Sequence, residues 1–184
     1  MFELSRFVDD LRASLADPTH AATQEIIARV VGDPCSVIRE LGEPAKAGFR
    51  ILHRASDLTV INAIWAPNQF APPHEHRLCA VIGMYGGRED NVFWRRIPGR
   101  NDLQIKISGG RALSTGDVVV LGRDVIHSVI NPVGSLSAAL HVYDGDFLAV
   151  TRSMWDSERL IEKPYDLNTV LTVPLEGPRE ILSK

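Results

Sequence analysis

Three histidines carry the chemistry that is legible in this sequence. His74 and His76 stand in the run Pro72-Pro73-His74-Glu75-His76, and His127 stands in Asp124-Val125-Ile126-His127-Ser128-Val129-Ile130-Asn131. Histidines at i and i+2 on an extended segment point to the same face, because strand side chains alternate with period two. A third imidazole brought to that face would close a three-nitrogen cap over one metal ion. Such a cap fills one hemisphere of the ion and leaves the rest open, which suits catalysis better than structure. Glu75 is turned the other way by the same alternation. It reads as a surface residue or a group behind the ligands, not as a ligand.

The elements that must position these residues follow from the pattern of apolar residues. Leu4, Phe7, Val8, Leu11 and Leu15 recur at helical spacing up to Asp17-Pro18. A second helix is expected after Thr19, carrying Ile26, Ile27, Val30 and Val31, with Gly32 as its stop. A short third helix is expected from Ser36 to Leu41, ending at Gly42 and Pro44. From Phe49 the texture changes to short β-branched or aromatic runs broken by Gly, Pro, Asn and Asp. Strands are predicted at 49–54, 58–65, 77–85, 91–96, 103–107, 117–121, 125–130 and 136–144, a spacing that suggests a sandwich or small barrel. Trp65, Tyr85, Phe93 and Trp94 fall in these runs and read as core. The tail from Phe147 is expected to return to helix around Ser153 to Ile161 and to extend past Pro164.

Composition narrows the classes. The chain has 184 residues, 45% apolar and 23% charged, with a net charge of −3. That is enough for one globular domain with its own core. It divides into a helical cap over 1–45, a barrel over 46–150 and an extension over 151–184 packed on the barrel. There is no basic stripe for nucleic acid, since Arg95-Arg96 is too short to count. Apolar runs such as Val60 to Trp65 fall far short of the ~20 residues that span a bilayer. Acidic residues at Glu3, Asp9 and Asp10 argue against a secretory signal. Cys35 and Cys79 show no metal or redox spacing, so a reducing cytoplasm is the expected setting.

Read together, the histidine segments resemble the paired motifs of the cupin superfamily. Gly116, Gly122, Asp124, His127 and Asn131 follow the pattern G-x5-P-x-G-x2-H-x3-N, with Gly122 for the proline and Asp124 for the last glycine, both turn formers. The first motif keeps His74, His76 and a late Gly87, but Ala80 and Val81 stand where its glutamate is expected. The run from His74 to Arg96 is similar to bacterial predicted metal-dependent cupins related to cysteine dioxygenase. Ala139-Leu140-His141-Val142-Tyr143 matches the Ser-x-His-x-Tyr run of the thiol dioxygenases, with Ala139 for the serine. The resemblance covers residues 50–147.

It implies a mainly β protein, a double-stranded β-helix or jelly-roll barrel with the N-terminal helices packed outside. It implies His74, His76 and His127 as ligands of Fe(II), with Ni, Zn or Mn possible in the same donors. A neutral ligand set leaves the ion its full +2 charge, which suits an anionic substrate such as a thiolate or enolate. The implied reaction is oxidation of a small thiol, of the cysteine or 3-mercaptopropionate type, by dioxygen to a sulfinate. Tyr143, oriented by His141, would donate a hydrogen bond to bound substrate or oxygen. Arg54 would grip the substrate carboxylate; the plainer reading is a surface arginine paired with Asp57 or Glu89. Arg77 and Arg88 are weaker anchors of the same kind. Cys79 is placed on the sheet face opposite Tyr143, so no cross-link between them is expected. Two alternatives stand beside this reading: cleavage of a β-diketone whose enolate chelates the metal, and a non-catalytic cupin that binds metal or a small molecule. The partners are a small thiol or organic acid and dioxygen, with no nucleic acid or membrane, in a monomer or homodimer.

Overall fold

The computed structural model describes residues 2–99, 104–170 and 175–176. The N-terminal helices form where the apolar spacing puts them: α1 (Leu4–Ser14), α2 (Ala21–Val31) and α3 (Pro34–Leu41). Asp17 turns the chain between the first two, its carboxylate accepting from the backbone N–H of Thr19 at 2.9 Å and of Ala22 at 3.0 Å. Asp33 caps α3 by accepting from the Ser36 N–H, with Pro34 in the first turn where its missing donor costs nothing.

The strands are β1 (Gly48–Arg54), β2 (Thr59–Trp65), β3 (Phe70–Glu75), β4 (Ala80–Gly86), β5 (Arg88–Arg96), β6 (Ile105–Ser114), β7 (Val118–Leu121), β8 (Ile126–Ile130) and β9 (Ser137–Tyr143). They are followed by β10 (Ser153–Trp155), β11 (Glu162–Pro164), the short α4 (Leu167–Val170) and β12 (Leu175–Glu176). One sheet has the order β12-β1-β2-β9-β4-β7 and the other β11-β10-β3-β8-β5-β6. Every pairing is antiparallel except that of β12 with β1. The two sheets enclose one apolar interior, so the chain is the expected mainly β jelly-roll barrel with helices outside.

Two cores flank the first sheet. The interior one joins Ile61, Ala63, Ile82, Met84, Leu121, Val129 and Ala139. The outer one packs Leu11, Ile27, Val31 and Val37 of the helices against Val60, Val81, Leu140 and Val142. All seven residues of β9 are therefore buried, because its sheet is covered on both faces. At Gly83 the helix comes so near that a Cβ would lie 2.3 Å from Ile27 Cγ2 and 2.9 Å from Val31 Cγ1. Among the described residues no helix is long and apolar enough to cross a membrane.

Three expectations are corrected. The strand Phe70–Glu75 was absent from the sequence reading because Pro72 and Pro73 lack ladder donors; the β3–β8 pairing shifts register between Ala71 and His74 to absorb them. The helix expected from Ser153 to Ile161 is instead the β10–β11 hairpin. Met154 and Trp155 are fully buried there. Asp156 makes the turn, accepting from the Glu158 and Arg159 amides at 3.0 and 2.8 Å, and Leu160 takes φ +53°. The strand placed at 103–107 runs to Ser114, and its first position, 103, lies outside the described residues. So do 171–174 and 177–184 of the C-terminal extension.

Candidate metal centre

The register of neighbouring strands assembles the site. His74 on β3 lies directly opposite His127 on β8, and His76 follows two residues on, past the end of β3. The three rings lie with centroids 4.6 to 5.1 Å apart, and one nitrogen from each falls within 4.8 Å of the others. The Nε2 atoms of His76 and His127 are 3.3 Å apart. Two nitrogens bound to one ion at about 2.1 Å would stand roughly 3 to 3.4 Å apart, so the His76–His127 pair already has the spacing of two ligands on one first-row divalent ion. The Nδ1–H of His74 donates to the Pro72 carbonyl at 2.8 Å, and that of His127 donates to Asn91 Oδ1 at 2.8 Å. Each bond fixes a ring and leaves the lone pair on the other nitrogen.

Electrostatics favour the same state. Burial, opposed by the Pro72 carbonyl and aided by Arg152, lowers His74 to about 4. Burial and the neighbouring imidazoles hold His76 and His127 well below the usual histidine range. All three are neutral at pH 7, the form that binds a metal.

The rings open on a cavity of about 30 Å³, room for roughly two water-sized centres. Phe49, Ile61, Trp65, Val129, Phe147 and Tyr165 wall it beside the three histidines, His141 and Tyr143. Among the described residues no charged side chain lines it. His141 Nδ1 and the Tyr143 hydroxyl are 3.1 Å apart. Burial, with His74 adding to it, lowers His141 to about 3, and burial pushes the Tyr143 phenol above its ordinary range. His141 Nε2 is buried without a partner, and Ala139 on the same face offers it no hydroxyl.

The structure does not bring Arg54 to this cavity. Its guanidinium clamps the Asp146 carboxylate, Nε at 2.8 Å and a terminal nitrogen at 3.0 Å, with the arginine 8% exposed. Asp146, which no local pattern links to Arg54, arrives on the loop after β9. Arg77 binds Glu75 and Asp124, and Arg88 binds Asp90 at the surface. Glu75 does face away from the ligands, yet it is only 2% exposed, covered by Arg77 at 2.7 Å and Arg96 at 3.3 Å. Leu78, Ala80 and Ile82 belong to the interior cluster with Tyr143; Cys79 is a free thiol outside it.

Sequence reasoning missed Arg152, which is 7% exposed. Its guanidinium lies 4.1 Å from the Phe147 ring and 3.9 Å from the Tyr165 ring, two walls of the cavity. One terminal nitrogen donates to the Phe147 and Val150 carbonyls, and Nε has no partner. Nothing local marks this arginine; it stands in a stretch without period, and its place depends on the chain folding back.

No family model matches the sequence. Solved structures similar to it include an oxalate oxidase at 18% identity, over 48% of this chain and 42% of that one, TM-score 0.41. A DMSP lyase from Ruegeria pomeroyi matches at 17% over 56% and 46%, TM-score 0.43. An RmlC-like cupin with a double-stranded β-helix fold, from Methanocaldococcus jannaschii, matches at 9% over 56% and 84%, TM-score 0.46. The match thus spans less than half of the oxidase and of the lyase. The facing sheets and the interior histidines of this chain define a jelly-roll barrel with a three-histidine group able to hold a metal.

Proposed function

We propose that this protein is a non-haem iron dioxygenase that converts a small thiol acid to a sulfinate. The observation that carries the reading is the convergence of three neutral imidazoles on a mostly apolar cavity that also receives the His141–Tyr143 pair. His74, His76 and His127 would hold Fe(II), although nickel, zinc or manganese fits the same nitrogens. Iron there would supply oxygen activation, and the net change is RSH plus O2 to RSO2H, both oxygen atoms passing to sulfur.

The chain's own groups have separable tasks. With its proton on Nδ1, His141 donates to the Tyr143 oxygen, which frees the phenolic hydrogen to donate into the cavity. This tautomer leaves a bare lone pair at Nε2 rather than a stranded N–H. Phe49, Phe147 and Val129 exclude water. Arg152, whose charge reaches His74 and Tyr143, is the cation available to a substrate carboxylate. Among the described residues no acidic side chain lines the cavity to meet an ammonium group, so a 3-mercaptopropionate-type substrate suits it better than cysteine. Because among the described residues no arginine stands in the cavity wall itself, a β-diketone bound as its enolate is the second reading.

Oxygen uptake by anaerobically iron-loaded protein tests the proposal, with 3-mercaptopropionate, cysteine, cysteamine and a β-diketone as substrates. Uptake with 3-mercaptopropionate and a product heavier by two oxygen atoms is expected. His127→Ala should lose both stoichiometric iron and uptake. Retained uptake in that variant overturns the mechanism, and uptake with the diketone alone promotes the second reading.

A further inference from the structure

Inside the barrel, both carboxyl oxygens of Glu89, Trp65 Nε1, Ser137 Oγ and Asn91 Nδ2 are buried without hydrogen-bond partners. Their residues are 0 to 3% exposed, and the strands bring them together. Trp65 lies opposite Ser137 on β2 and β9. Glu89 and Asn91 alternate on β5 and so share a face. Gly87, with φ +70°, approaches Ser137 so closely that a Cβ there would lie 2.8 Å from its Cα. The indole of Trp65 lies beside the Glu89 carboxyl, outside hydrogen-bond geometry.

Each buried polar group left alone costs about 1–3 kcal/mol, so several in one place call for a common partner. The inventory is complementary, with donors on Trp65, Asn91 and Ser137 and acceptors on Glu89. Burial, opposed by Trp65, pushes Glu89 up to about 8, which makes it a carboxylic acid at neutral pH, able to donate as well as accept. Water satisfies donors and acceptors at once.

We infer that an ordered water site lies between Glu89, Asn91, Ser137 and Trp65, and that Glu89 acts through it as a positioning residue for His127. Asn91 accepts the His127 Nδ1–H through Oδ1. The two ends of an amide have the same shape, and a flipped Asn91 would set its NH2 against that N–H, donor against donor. That clash already disfavours the flip, and a water whose own hydrogens are held by Glu89 and a neighbouring acceptor accepts from Nδ2 and favours the same orientation. The effect on His127 rests on the metal reading above; the water does not.

Two measurements test this. A high-resolution crystal structure of the wild-type protein should show water within about 3 Å of both Asn91 Nδ2 and a Glu89 oxygen; clean absence of density there overturns the site. Cobalt titration followed by the visible spectrum should give E89Q an affinity within about threefold of wild type. E89L should lose about 10- to 100-fold and shift its bands. Unchanged affinity and spectrum in E89L overturn the positioning role. Where E89L does not fold, the density at Asn91 decides alone. Wild-type protein that binds no cobalt sinks the metal reading, while the density still tests the water.

Discussion

Arg54 and Arg152 put two buried guanidiniums to different uses. Arg54 is committed to Asp146 in a bidentate pair, so Arg54→Met should destabilise the fold by about 2–4 kcal/mol. Urea denaturation measures that loss, and KM for the thiol should hold steady. Arg152 rests on two cavity walls with an N–H to spare, so Arg152→Met should raise KM for 3-mercaptopropionate at least about tenfold. Cysteamine, which has no carboxylate, is the control; an equal rise with both thiols would remove the carboxylate role. Tyr143→Phe takes away one hydroxyl and should cost about 1 kcal/mol of stability. Iron content should stay whole while kcat falls about 10²-fold; undiminished kcat would leave the phenol no part in turnover. The grouping of His74, His76 and His127 was legible in sequence from spacing and motif, while His141 and Tyr143 were marked by the family resemblance. Arg152 was not, because its neighbours Phe147 and Tyr165 reach it only through the fold.

At the scale of elements, the contact between α2 and β4 sets the helical cap on the barrel. Gly83→Ala would drive a methyl into Ile27 and Val31, and overpacking of this kind costs about 1–3 kcal/mol. Ile27→Val removes atoms next to the clash, so the double variant should recover part of the loss. Strict additivity of the two changes would show that Gly83 and Ile27 do not share the contact. The helices and most strands were readable from period and from Gly, Pro and Asp punctuation. β3 and β10 were not: two prolines disguised the first, and a three-residue strand is too short to show a period. Yet β3 carries His74, and Met154 of β10 pairs with it.

For the molecule as a whole, four buried neutral histidines make the metal-free protein acid-sensitive. His74 and His141 are lowered to about 4 and about 3, and His76 and His127 are lowered well. Each is below its unfolded value near 6.5, so the unfolded chain binds more protons as pH falls. Stability present above pH 6.5 should therefore drain away towards pH 3 to 4. Glu89 works in the opposite sense, since its folded value of about 8 lies above that of the unfolded chain. Its stabilisation is full below about pH 4.5 and fades as pH rises to 8. Four groups outweigh one, so the denaturation midpoint of metal-free protein should fall between pH 6.5 and 4. A flat profile there would mean that the imidazoles are not buried as neutral groups.

The sequence by itself marked the three histidines, the three helices and a β-rich remainder, and its resemblance to a known family marked His141 and Tyr143. Alternation, helical spacing and turn chemistry act between residues a few positions apart, so a linear reading captures them. Only the tertiary structure decided that Arg54 is bound to Asp146, that Glu75 is buried under Arg77 and Arg96, and that Arg152 lies by the cavity. It also decided that Asn91 stands behind His127. Those outcomes depend on which strands become neighbours and on where the chain returns after β9. Charge pairing across such distances has no period, and burial is conferred by the packed whole.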